Sequence, residues 1–251
     1  MENYIKFLTG DIPYQIVPEL LIIAHVDQNR TKKVIPIATG FAAYSGNYLV
    51  ILSAAHAFNN LQGEAMLIVG SNGSVSLARA KIVIEKTFDI AVIFLDTDYI
   101  KTLFKNLLLV QAENIPSVSD SGAGSIYQVH GFPASKNKFN RSTGWIPNYM
   151  RVSFGGERNA PKRTTFPLER ISPFCFELSL KNLFDDDGKP DNKLGRLQGM
   201  SGSPVYRYAK VENGVAGKLI GMFVHWDKDE QVASVVPWKA IESFVTQAAM
   251  R

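Results

Sequence analysis

The chain has 251 residues, 46% of them hydrophobic and 20% charged, with a formal net charge of +4. Those values fit a globular protein with material for one core or two small ones, and they exclude a disordered or collagen-like chain. No run of 18 apolar residues occurs, which excludes a hydrophobic membrane-spanning helix, and the single cysteine excludes a disulfide within the chain.

Taken in chain order, Met1-Glu2-Asn3-Tyr4-Ile5-Lys6 has no basic start ahead of a sustained apolar core, so no secretory signal is expected. With one cysteine, this points to a reducing compartment, and a cytoplasmic, bacterial location is the expectation. Short Val-, Ile- and aromatic-rich runs bounded by Gly, Asn, Asp or Pro predict strands at 21–26, 34–44, 48–53, 65–69, 75–85 and 90–95. Pro116-Ser117-Val118-Ser119-Asp120-Ser121-Gly122 then breaks the apolar pattern. It places a boundary between residues 1–115 and residues 116–251. Strands are predicted again at 125–130, 150–154, 174–180, 203–208, 218–225 and 232–236, with Glu212-Asn213-Gly214 as a hairpin signal. Pro237 followed by Trp238, Ile241, Phe244 and Val245 at helical spacing predicts a C-terminal helix. Many short strands with turn residues between them are the pattern of an all-β sandwich or barrel protein.

Three segments carry chemistry. Gly199-Met200-Ser201-Gly202-Ser203-Pro204 sets a serine between two glycines, so the backbone can bend sharply and aim amide N–H groups at a developing oxyanion. A serine hydroxyl needs a base, and His56 in Ser53-Ala54-Ala55-His56-Ala57 follows directly on an apolar strand. Asp89 stands at the mouth of another strand, Ile90-Ala91-Val92-Ile93, where burying a carboxylate is expensive without a partner such as an imidazole N–H.

In this order the three segments resemble the chymotrypsin/trypsin-like serine proteases, in a bacterial, disulfide-free form. Ser53-Ala54-Ala55-His56 is similar to the family's T-A-A-H, Asp89-Ile90-Ala91-Val92 to its D-I-A-L, and 199–204 to its G-D-S-G-G-P. Ala38-Thr39-Gly40-Phe41 is similar to the strand that precedes the histidine, and Gly131-Phe132-Pro133 to a turn early in the second barrel. The resemblance implies two six-stranded antiparallel β-barrels with a C-terminal α-helix. It also implies a catalytic triad of His56, Asp89 and Ser201, and an oxyanion hole from the backbone N–H groups of Gly199 and Ser201.

The same resemblance implies a substrate pocket from residues just before the serine and from a later strand, here Gly195, Gln198, Phe223, His225 and Trp226. No carboxylate stands six residues before Ser201, so cleavage after Lys or Arg is not expected; a small, apolar or hydrogen-bonding side chain is. Met200 stands where many members carry the aspartate that receives a new N-terminus on activation, and a thioether cannot hold an ammonium group. Ser203 replaces the second glycine after the family's serine. The function expected is a serine endopeptidase acting through an acyl-enzyme on protein or peptide substrates. The alternative is a protease-like binding module, inactive or gated by a regulatory protein partner.

Between 134 and 170, eight Lys/Arg stand against two acids, a net +6, and the expectation is a solvated surface rather than a nucleic-acid site. Asp185-Asp186-Asp187-Gly188 reads as an exposed turn, lacking the terminal glutamate of a calcium loop. His25, His130 and His225 show no metal-ligand spacing, and Cys175 in an alternating strand reads as a core residue. No cofactor, metal or membrane partner is expected.

Overall fold

The structure, a computed structural model, describes residues 20–27, 33–45, 48–59, 65–70, 72–104, 126–135, 137, 150–154, 157–158, 174–177, 197–211 and 214–250. They form two antiparallel sheets of seven strands each. The first holds β1 (Leu20–Asp27), β2 (Lys33–Ser45), β3 (Tyr48–Ala54), β4 (Ala65–Val69), β5 (Ser74–Ser76), β6 (Lys81–Glu85) and β7 (Ile90–Phe94), in the order β5-β4-β1-β2-β3-β7-β6. A short helix, α1 (Thr97–Leu103), follows it. The second holds β8 (Ile126–Gly131), β9 (Met150–Phe154), β10 (Glu157–Arg158), β11 (Phe174–Glu177), β12 (Ser203–Val211), β13 (Gly214–Asp227) and β14 (Val232–Pro237), in the order β10-β11-β14-β13-β12-β8-β9. Helix α2 (Trp238–Ala249) ends the described chain.

Seven strands per sheet rather than six have local causes. The run predicted as one strand over 75–85 is broken, because the Ser76 hydroxyl accepts the Ala78 N–H at 3.3 Å and turns Leu77–Arg79 into a single 3-10 turn. In the second sheet the extra strand is β10, two residues pairing with Phe176 and Cys175 of β11. The helix at 97–103 escaped the sequence reading, since seven residues carry too little periodicity to separate from a loop.

Strand alternation explains why so many of these segments are apolar at every position. Ala42, Ile51 and Ile93 face the interior of the first sheet's core, with Leu21, Ile23 and Ile68. Their chain neighbours Phe41, Ala43, Val50, Leu52 and Val92 face the other way, with Ile90, into a core shared with Tyr206, Tyr208, Met222, Val224 and Val236 of the second sheet. Val205, Phe223 and Val235 alternate with those to fill the second sheet's own core, beside Tyr127, Val129 and Phe176. A strand buried on both faces loses the polar-outward half of its pattern. Ile241, Phe244, Val245 and Ala248 of α2 seal the shared core, as the helical spacing predicted, while Trp238 is only partly buried. Pro237 is the residue preceding the helix, extended at φ −61° and ψ 143°.

Cys175 is buried opposite Ser234, in agreement with the core reading, and burial pushes its thiol pKa up while a Ser234 hydrogen bond acts in the opposite sense. The expected boundary at 115/116, the Asp185–Asn192 stretch, Gly195 and most of the basic segment lie outside the described residues.

Candidate active site

His56 sits in a 3-10 turn, Ala55–Phe58, that begins where β3 ends. Asp89 is the last residue before β7, whose Ile90 pairs with Ala54. Register therefore brings the two strand ends side by side, and the Ala55 N–H donates to the Asp89 carbonyl at 3.0 Å. Asp89 has φ +54°, a left-handed conformation that aspartate tolerates better than most residues. That twist turns its carboxylate onto His56: Oδ1 accepts the His56 backbone N–H at 2.7 Å and Oδ2 accepts from the ring Nδ1 at 2.7 Å. Asp89 is 3% exposed, so these two bonds stand in for lost water. A carboxylate can only accept, so Nδ1 carries the proton and Nε2 is left as the basic nitrogen of the ring. The His56 side chain is 39% exposed and opens onto the cleft that Ser201 also lines.

The serine loop is fixed carbonyl by carbonyl. The Gln198 carbonyl accepts the Ala134 N–H at 2.7 Å, and the Gly199 carbonyl accepts the Thr39 hydroxyl at 2.9 Å. Met200 accepts from the Ser203 N–H at 3.0 Å, and Ser201 from the Thr39 N–H at 3.0 Å. In a trans peptide the N–H points opposite to the carbonyl before it. Anchoring Gln198 and Met200 therefore directs the Gly199 and Ser201 N–H groups away from the anchors, and among the described residues neither has a backbone acceptor. The intervening Met200 and Gly202 N–H groups are occupied, by the Leu197 carbonyl at 2.9 Å and the Phe223 carbonyl at 2.7 Å.

Two glycines make this path possible. Gly199 has φ +91° and Gly202 φ +88°, and both are hemmed in. A Cβ on Gly199 would lie 2.6 Å from Ala134 N, and one on Gly202 would overlap the Thr39 carbonyl oxygen.

The cleft has a volume of about 250 Å³. Gln198, Phe223, His225 and Trp226, all expected from the sequence, line it together with His56 and Ser201. Leu197 and Val224, from the same two segments, line it too. A register irregularity between Phe223 and His225 leaves Val224 unpaired with β14. His225 is half-buried, and burial lowers its pKa. Nearby Asp227 raises it, His56 lowers it and Asp89 raises it, in decreasing order of weight.

No protein-family model matches the chain, nor does any curated protein sequence. Solved structures do. The chain superposes on the serine endoprotease from Yersinia pestis with a TM-score of 0.51 at 14% identity, covering 98% of this chain and 66% of that one. The HtrA-type protease AlgW, solved with a tripeptide, gives a TM-score of 0.51 at 13% identity, with 98% and 62% covered. The fold is that of the trypsin-like serine proteases. The chain thus spans a little under two thirds of the length of these proteins, and at such identity the likeness concerns the fold.

Within the trypsin-like fold the two departures in the serine loop have definite surroundings. Met200 is fully buried among Val129, Val152, Leu197 and Phe223, so apolar packing occupies the place of an acid. Ser203 is buried at the start of β12, its hydroxyl against Gly131, and among the described residues that hydroxyl has no hydrogen-bond partner. Thr39 is the residue that sequence reasoning missed. Its signal was its place in the Ala38-Thr39-Gly40-Phe41 match, to which no role was attached, and its partners are 93 and 160 positions away in the chain.

Proposed function

We propose that this chain is a serine endopeptidase with His56, Asp89 and Ser201 as its triad. The observation that carries the reading is the pair of 2.7 Å bonds holding His56 on Asp89, beside a serine loop whose Gly199 and Ser201 N–H groups have no backbone acceptor among the described residues. His56 Nε2 takes the Ser201 Oγ proton as Oγ bonds to the peptide carbonyl carbon. The carbonyl π electrons move onto oxygen, and the oxyanion is held by the Gly199 and Ser201 N–H groups. The imidazolium formed is stabilised by the Asp89 carboxylate. It passes its proton to the leaving nitrogen as the C–N bond breaks, and water then cleaves the acyl-enzyme by the same route.

Substrate main chain has a place to pair. Strand β12 begins at Ser203, opposite Phe223, while β13 runs on to Asp227 and, among the described residues, has β14 along one flank only. The other flank, beside Ser201, suits an extended peptide added as a further strand. Among the described residues lining the cleft none is a carboxylate, and His225 is held toward its neutral form by burial. Both features suit small, apolar or hydrogen-bonding side chains over Lys and Arg. The lone cysteine favours a reducing compartment, so the substrates we propose are intracellular proteins.

A protease-like module gated by a partner is the competing reading. It needs a loop that rests away from the catalytic shape, and four anchored carbonyls favour a loop already in it. Hydrolysis of an unfolded generic substrate such as casein separates the two. The proposal expects turnover by the isolated chain that His56→Ala abolishes. Equal background in both proteins overturns it.

A further inference from the structure

We infer that Thr39 is a positioning residue of the oxyanion hole, holding Gly199 in place from across the interface between the two sheets. The inference rests on the protease reading and adds a residue outside the triad and outside the serine loop.

Thr39 belongs to β2 in the first sheet, where it pairs with Ile22 of β1, and it is fully buried. Beyond the strand ladder, its side chain and backbone make four bonds among the described residues, three of them to the second half of the chain. The hydroxyl donates to the Gly199 carbonyl at 2.9 Å and accepts the Phe132 N–H at 2.9 Å. Its N–H donates to the Ser201 carbonyl at 3.0 Å, and its own carbonyl accepts the Ser53 hydroxyl at 2.7 Å. A hydroxyl has one proton. Because Phe132 approaches as a donor, that proton has to go to Gly199, so the direction of the relay is set by the fold.

The geometry at Gly199 makes this bond count. Gly199 at φ +91° joins two peptide planes. Ala134 pins the plane before it through the Gln198 carbonyl, and Thr39 and Leu197 pin the plane after it through the Gly199 carbonyl and the Met200 N–H. The plane that Thr39 and Leu197 hold lies between the two that carry the Gly199 and Ser201 N–H groups, so loss of the Thr39 bond leaves it on the Leu197 bond alone and loosens the placement of the two donors relative to each other. A donor displaced by a fraction of an ångström loses much of its value toward a transition-state oxyanion, while ground-state binding along β13 is untouched. The same bonds make the hole depend on the docking of the two sheets, since Thr39 and Gly199 come from different ones.

The test compares variants that differ in the hydroxyl alone: Thr39 with Thr39→Val, and Thr39→Ser with Thr39→Ala. Each is assayed for kcat and KM on a fluorogenic peptide and for inhibition by a peptide aldehyde, whose adduct carries the oxyanion. Loss of the hydroxyl is expected to lower kcat roughly 10- to 100-fold, with KM changed less than about threefold and aldehyde binding weakened in parallel with kcat. Thr39→Ser is expected to keep most of the activity that Thr39→Ala loses. If Thr39→Val fails to fold, the Ser/Ala pair carries the same comparison with less disturbance of packing. Equal kcat in Ser and Ala variants, or a loss confined to KM, overturns the inference while the protease reading stands. A wild-type chain with no turnover overturns both.

Discussion

Asp89 answers to two demands at once: its backbone is held at φ +54° where β7 begins, and its carboxylate takes both a backbone and a ring N–H of His56. Removing the charge while keeping the shape tests the second alone. Asp89→Asn is expected to leave the fold intact, as read by circular dichroism, and to lower kcat on the order of 10⁴-fold, because an amide can hold the ring in the wrong tautomer. Wild-type-like turnover in Asp89→Asn would remove the triad from the account. Gly202 makes the complementary case, where shape matters and charge does not. A methyl there would overlap the Thr39 carbonyl at an unfavourable φ of +88°, so Gly202→Ala is expected to lower stability by about 2–4 kcal/mol in urea unfolding. At this scale much of the candidate site was legible, because His56, Asp89 and Ser201 each stand in a short motif next to a strand end. Thr39 and Ala134 were not, since their roles are made by bonds to Gly199 and Gln198 that no local pattern encodes.

At the scale of elements, the sequence pattern foretold strands wherever an apolar run was long, and failed where a local side-chain bond intervened. Ser76 capping Ala78 split one predicted strand, and β10 is too short to leave a signature. The apolar runs of β2, β3 and β7 marked strands but could not say that both faces are covered, because the second cover comes from another sheet. Helix α2 was predicted from its spacing, and its packing says how much it contributes. Phe244, 5% exposed, is in the core shared by the two sheets. Phe244→Ala is expected to destabilise the chain by about 3–5 kcal/mol, read from the urea midpoint at constant slope. Destabilisation below about 1 kcal/mol would mean the helix is peripheral to that core.

For the molecule as a whole, the shared core contains an ionisable group that ties folding to pH. His130 on β8 is fully buried, edge-on to the Tyr206 ring at 5.3 Å and with Nε2 3.4 Å from the Tyr208 hydroxyl. Burial first, and the Arg151 charge second, lower its pKa from 6.5 to about 3. The unfolded chain therefore binds a proton that the folded chain refuses. The contribution of this group is fully present above pH 6.5 and is lost as the pH drops toward about 3. Half-buried His225 is shifted in the same direction and adds to the slope. Urea midpoints between pH 7 and pH 5 are expected to fall, and His130→Gln is expected to flatten the slope. An unchanged slope in that variant would assign the acid sensitivity elsewhere.

The central claim is that the isolated chain holds an activated serine. The most direct measurement is covalent labelling by a fluorophosphonate, which phosphonylates a serine only where a base takes its proton and an oxyanion site receives the phosphoryl oxygen. The account predicts rapid, stoichiometric labelling of the wild type at Ser201, located by peptide mapping, with labelling lost in Ser201→Ala and slowed at least a thousandfold in His56→Ala. A folded wild type that stays unlabelled, or a Ser201→Ala variant that labels equally, would contradict it.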